Sequence, residues 1–169
     1  MSSPGTHDLR TLIDGVLRAD KTLAGFGFWS QDHREHCERW SRPLEIAGEL
    51  RGMQLEVKAY AAETSLKFRI LLTEARCVWR LDFADDGHVN PLDAPVHKGM
   101  AINGPHYHAW VDNRRYARPN SLPAKLRIAR ILPQSIRTFT AAFRWFCSET
   151  NIYVATADIP ELPKRGLLV

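Results

Sequence analysis

Cysteine is scarce in this chain of 169 residues. Cys37, Cys77 and Cys147 are odd in number and far apart, and no C-x-x-C occurs. This speaks against a disulfide framework or a zinc knuckle and leaves reduced, buried thiols. No apolar run approaches the roughly 20 residues of a membrane helix. No basic start followed by an apolar core marks a secretory signal, so the cytoplasm is the expected compartment and a membrane is not an expected partner. Internal repeats, linkers and low-complexity tracts are lacking as well. One stretch lacks carboxylates: Arg114, Arg115, Arg118, Lys125, Arg127 and Arg130 follow Asp112 with no acidic residue among them. That predicts a local positive face. The net charge of +4 and pI near 9.1 fit a nucleic-acid partner without diagnosing one.

What is present fits one domain over residues 1–169. Residues 6–21 read as an amphipathic helix, with Leu9, Leu12, Ile13, Val16 and Leu17 on one stripe and Thr6 as cap. Residues 23–40 suggest irregular backbone or an edge strand. His33, His36 and Cys37 within them could hold a metal, but no fourth ligand stands at a familiar spacing and a solvated loop or strand is the simpler reading. From Pro43 to Phe83 the period is two, with turns at Arg51-Gly52 and Asp85-Asp86-Gly87, which predicts a meander of four strands. Residues 102–118 read as a strand, a tight turn at Asp112-Asn113 and a returning strand. Residues 124–132 could form a short basic helix. Ile136, Phe139, Ala142, Phe143 and Phe146 give residues 134–149 a second amphipathic helix, and residues 157–169 a loose tail. The expected class is α+β: an antiparallel sheet of about five to six strands with the N-terminal and C-terminal helices on one face.

Two polar pieces stand out. Side chains two apart on a strand share a face. Arg80 and Asp82 therefore point together, opposite Trp79 and Leu81, and His106 and His108 point together, opposite Tyr107. If the two strands are neighbours, these groups form one site, with His88 joining from the end of the first strand. Histidines titrate near neutral pH and can serve as general base and acid, Asp82 can orient one of them, and Arg80 can clamp a phosphate. Arg114 and Arg115 could fold back as further phosphate ligands. Tyr107, Trp110 and Tyr116 offer rings for stacking bases. This reading, RNA cleavage by the 2′-hydroxyl, needs no cofactor. A metal alternative uses His106 and His108 with Asp112, a set that resembles the cupin motif except that cupins place glutamate there. A third reading is a salt-bridged sheet face without catalysis, binding nucleic acid or another protein.

The string R-L-D-F-x(4)-H-V-N-P, then G-P-H-Y-H, R-R-Y-A-x-P and a helix ending F-x-x-F-C-x-x-x-N-I, resembles a bacterial family of uncharacterised small proteins. Members carry an R-L-D…H-x-N-P…P-H-x-H signature. More distantly, Arg80, Asp82, His106 and His108 are similar in order to those of TumE-type toxins of toxin–antitoxin pairs. That resemblance implies action on RNA and a cognate antitoxin-like partner, while carriage on a mobile element belongs to the alternative of a non-catalytic module that binds nucleic acid or protein.

Overall fold

The structure, a computed structural model, describes residues 8–60, 68–74, 76–84 and 87–163. The first helix, α1 (Leu9–Arg18), is shorter than expected. Asp8 caps it, its carboxylate accepting from the Arg10 amide at 3.0 Å. Thr6 lies outside the described residues. The other end is closed by Lys21, which is buried in β1 (Lys21–Leu23). Its Nζ donates to the carbonyls of Val16, Leu17 and Ala19 at 2.8, 3.2 and 2.7 Å. A cation on the last carbonyls of a helix satisfies orphan acceptors and opposes the helix dipole.

After β2 (Trp29–Asp32), the long strands are β3 (Cys37–Ile46), β4 (Glu49–Ala59), β5 (Phe68–Glu74) and β6 (Arg76–Phe83). They pair antiparallel in sequence order. The meander therefore begins at Cys37, six residues before Pro43. Its first turn is Ala47-Gly48 and not Arg51-Gly52. Gly52, at φ 75°, sits inside β4, where the register with β3 slips between Pro43 and Glu45. A bulge of this kind accommodates a left-handed residue that glycine adopts without strain. His33 and His36 lie exposed in the turn between β2 and β3, while Cys37 is buried. Of the predicted turn at 85–87, Asp85 and Asp86 lie outside the described residues.

The chain then forms a small hairpin, β7 (His88–Val89) with β8 (Ala101–Ile102). It re-enters the sheet as β9 (His106–His108) beside β6. Next come α2 (Trp110–Asn113), a 3-10 turn (Arg114–Tyr116), β10 (Arg130–Ile131), α3 (Phe139–Glu149) and β11 (Ile152–Tyr153). Among the described residues, the result is a mixed α and β fold with three helices and one large, mostly antiparallel sheet. Its nine strands run β10-β9-β6-β5-β4-β3-β1-β11, with β2 also on β3 and β11 parallel to β1. Nine replaces the expected five to six because β1, β2 and β10, only two to four residues long, join the sheet. That is too short to show an alternation. The returning strand expected at 114–118 is helical instead, since Trp110 is buried with its indole N–H donating to Asp14 of α1 at 2.7 Å. Residues 124–132 are extended and end in β10, not in a helix.

The apolar face of the sheet carries α3. Phe143 meets Trp40, Phe139 meets Phe68, and Phe146 and Trp145 meet Trp79, ring on ring at 4.9–6.0 Å. Ile13 of α1 joins the same core. Ile159 and Leu162 also pack on it, so the described part of the tail is docked. Among the described residues, no helix is long and apolar enough to cross a membrane.

Candidate functional site

The opposite face of the sheet is polar, and it becomes a site where β6 meets β9. Arg80 is paired with His108, and Asp82 with His106. Both pairs therefore emerge beside each other on the face away from Trp79 and Tyr107, which stack at 5.2 Å on the α3 side. His88 reaches over them from β7, its ring 4.8 Å from that of His108 and 5.7 Å from that of His106. Arg69 of β5, opposite Asp82 in the ladder, completes the group.

Asp82 is the hub and is buried, 3 % exposed. Arg80 donates from Nε to Oδ2 at 2.8 Å. Arg69 Nε lies 2.9 Å from Oδ1, an ion pair not aligned for a hydrogen bond. The Nε2 atoms of His106 and His108 stand 3.4 and 3.5 Å from Oδ2. Burial opposes the charge on Asp82. Its neighbours, the guanidinium groups of Arg80 and Arg69 among them, outweigh it and hold the carboxyl well below its ordinary value of 3.8.

Each imidazole is oriented by a backbone carbonyl. His106 Nδ1 lies 2.8 Å from the oxygen of Gly104, His108 Nδ1 3.1 Å from that of Ile128, and His88 Nε2 2.9 Å from that of Arg127. A carbonyl only accepts, so these nitrogens carry the protons. Nε2 of His108 is then the basic atom of a neutral ring. His108 accepts there from Arg80 Nη2 at 2.9 Å, and burial pushes its pKa down to about 4. Burial likewise lowers His88.

The carbonyls are themselves fixed, by residues that the sequence reading passed over. Gly104, at φ 85°, aims its oxygen back at His106. Asn113, fully buried, accepts from the amides of Arg127 and Ile128 at 2.6 and 2.8 Å and donates to Ile128 at 2.9 Å. Asn90, the asparagine of H-V-N-P, holds Ala129 through both its amide and its carbonyl, at 2.8 and 2.9 Å. Two buried asparagines thus clamp the segment that orients His88 and His108. Position in H-V-N-P could have flagged Asn90, and the alternation of β5 could have flagged Arg69. Asn113 looks like an ordinary turn residue.

The cleft above this floor measures about 440 Å³ and is lined by Arg69, Arg80, Asp82, Gly87, His88 and His106. A second cleft of about 500 Å³ shares Arg80 and His88 and extends past Lys125 and Arg127. The remaining predicted residues are placed elsewhere. Arg114 pairs with Asp14 of α1 at 2.8 Å. Arg115 donates to the Asp93 carbonyl at 2.6 Å. Tyr116 donates to the Asp93 carboxylate at 3.0 Å and lies under the Arg127 guanidinium. Tyr107 and Trp110 line a pocket on the helix side with Arg114. Asp112 makes a two-point ion pair with Arg130 at 2.7 and 2.8 Å, so it does not join His106 and His108 as a ligand. Among the described residues, the group that closes to ligand distances is His88, His106 and His108, with one atom of each within 4.8 Å of the others. Burial pushes the thiols of Cys77 and Cys147 up to about 12, which makes them poor nucleophiles.

Comparison with protein-family models, with curated proteins and with solved structures gives no match.

Proposed function

We propose that the cleft over Asp82 is a phosphate-directed catalytic site that acts on RNA, in the manner of a toxin-type endoribonuclease. The observation that carries this reading is the joining of two guanidinium groups, two imidazoles and one buried carboxylate in one cleft, with His108 buried beneath and Lys125 and Arg127 along its extension. Arginine forks match phosphate oxygens and stabilise charge that develops there. In the reaction the 2′-oxygen attacks phosphorus and the 5′-oxygen leaves. One proton passes from the 2′-hydroxyl to the site and one from the site to the leaving oxygen. His88, half-buried at the mouth, is placed to exchange protons with substrate. His106 and His108, at 3 % and 0 % exposure, act from beneath it. The similarity of Arg80, Asp82, His106 and His108 to TumE-type toxins points the same way and suggests an antitoxin-like partner.

The test has two arms. Expression of the chain should arrest bacterial growth, and His106→Ala with His108→Ala should relieve it. Purified protein should cleave single-stranded RNA to cyclic-phosphate ends, with His88→Ala slowing kcat/KM by about 10²–10⁴. Absence of both toxicity and cleavage, with and without added divalent cation, overturns the reading.

A further inference from the structure

We infer that His88, His106 and His108, with the Asp82 carboxylate beside the last two, form a binding site for a divalent transition-metal ion, and that the Arg80 guanidinium occupies this site until the metal displaces it. The inference rests on the phosphate-directed reading for its purpose but on separate geometry for its existence.

The first observation is a distance. The Nε2 atoms of His106 and His108 lie 3.4 and 3.5 Å from Asp82 Oδ2. That is beyond the roughly 2.7–3.2 Å of an N–H···O hydrogen bond. Two ligand atoms bound about 2.1 Å from one tetrahedral ion stand about 3.4 Å apart. The spacing therefore suits ligands of a shared cation better than a donor and its acceptor.

The second observation is the orientation of the rings. His106 is held at Nδ1 by the Gly104 carbonyl and turns Nε2 toward the Asp82 carboxylate. One nitrogen of each of His88, His106 and His108 lies within 4.8 Å of the others. Metal-binding histidines characteristically donate their second nitrogen to a carbonyl or carboxylate, which fixes the ring and its tautomer. Here all three rings are held to backbone carbonyls in this way. Three imidazoles and a carboxylate suit zinc, iron or a neighbouring first-row ion.

The third observation identifies what fills the place. Arg80 reaches across with Nε on Asp82 Oδ2 at 2.8 Å and Nη2 on His108 Nε2 at 2.9 Å. It thus covers His108 Nε2 and the neighbouring Asp82 Oδ2 with positive charge. Its side chain is 24 % exposed and lines both clefts, so it has a path outward. Metal entry would release the guanidinium into the cleft, where it can meet a phosphate. With the ion bound, His88 would be a ligand, so the proton exchange assigned to it above belongs to the metal-free state.

The experiment titrates chelator-treated full-length protein with Zn²⁺ and with Co²⁺, by calorimetry and by the visible absorption of bound Co²⁺. One equivalent should bind. His88→Ala should weaken binding at least tenfold, and Arg80→Met, which keeps the stem and removes the competing charge, should tighten it at least tenfold. Circular dichroism checks that both variants fold, and an Arg80→Lys variant gives a second reading of the competition if Arg80→Met does not. No stoichiometric binding, or binding indifferent to His88→Ala, overturns the metal site. Binding unchanged or weakened in a folded Arg80 variant overturns the placeholder role. RNA binding by the metal-free protein is measured alongside. Its loss with intact metal binding counts against the phosphate reading alone, and its survival without metal binding counts against this one alone.

Discussion

Asp82 shows how much can hang on one buried side chain. Two arginines and two histidines converge on its carboxylate. Removing one partner of a buried charge set leaves the others uncompensated, so Asp82→Asn should cost about 3–5 kcal/mol at pH 7, measured by urea denaturation. The pH dependence follows from the direction of the shift. The folded-state pKa lies below the ordinary 3.8, so the unfolded chain takes up the proton first on acidification. The stabilisation is therefore fully present above the unfolded value and is lost as pH falls from about 4 toward the folded pKa. Wild type and Asp82→Asn should converge in stability under acid, and a constant gap from pH 7 to pH 2 would contradict this account.

Elements matter here for what their backbone offers. The β6–β9 pairing places two polar pairs side by side, and the loops on either side supply the carbonyls that orient the rings. Gly104 is the sharpest instance. A Cβ there would meet no atom within 4 Å, so any effect of Gly104→Ala must come from its φ of 85°. A left-handed residue other than glycine costs roughly 1–2 kcal/mol. Gly104→Ala should lower stability by about that amount in thermal unfolding and loosen His106, read as a change in its ring resonances. On the other face, Phe143 is fully buried in the core against Trp40, and Phe143→Ala should cost about 3–5 kcal/mol.

For the molecule as a whole, the two sheet faces divide the work. Aromatic packing of α3 on one face fixes the frame, and the other face keeps its charges. Arg80 and His88 join the two clefts, which continue to Lys125 and Arg127. If RNA lies along them, affinity should fall with salt at a slope of about 0.7 per phosphate contacted on a single strand. Lys125→Ala with Arg127→Ala should flatten that slope by one to two contacts' worth, roughly 0.7–1.4. A slope indifferent to these changes would place the RNA elsewhere.

The sequence by itself determined the parts with a repeating pattern. Alternation in β3 to β6 gave the meander, the 3.6-residue spacing of phenylalanines gave α3, and residue parity put Arg80, Asp82, His106 and His108 on the face opposite Trp79 and Tyr107. Each of these is local, since side-chain direction follows from chain geometry. The strands β1 and β10, the helical turn at 110–116 and the burial of Lys21 were decided by tertiary contacts, because two or three residues carry no period of their own. Likewise, only the fold could send Arg114 to Asp14, Arg115 and Tyr116 to Asp93, and Asp112 to Arg130, away from the histidines. It also brought in Arg69, Asn90 and Asn113 from distant positions. Ion pairs and buried amides choose partners by position in space, and sequence distance does not encode that.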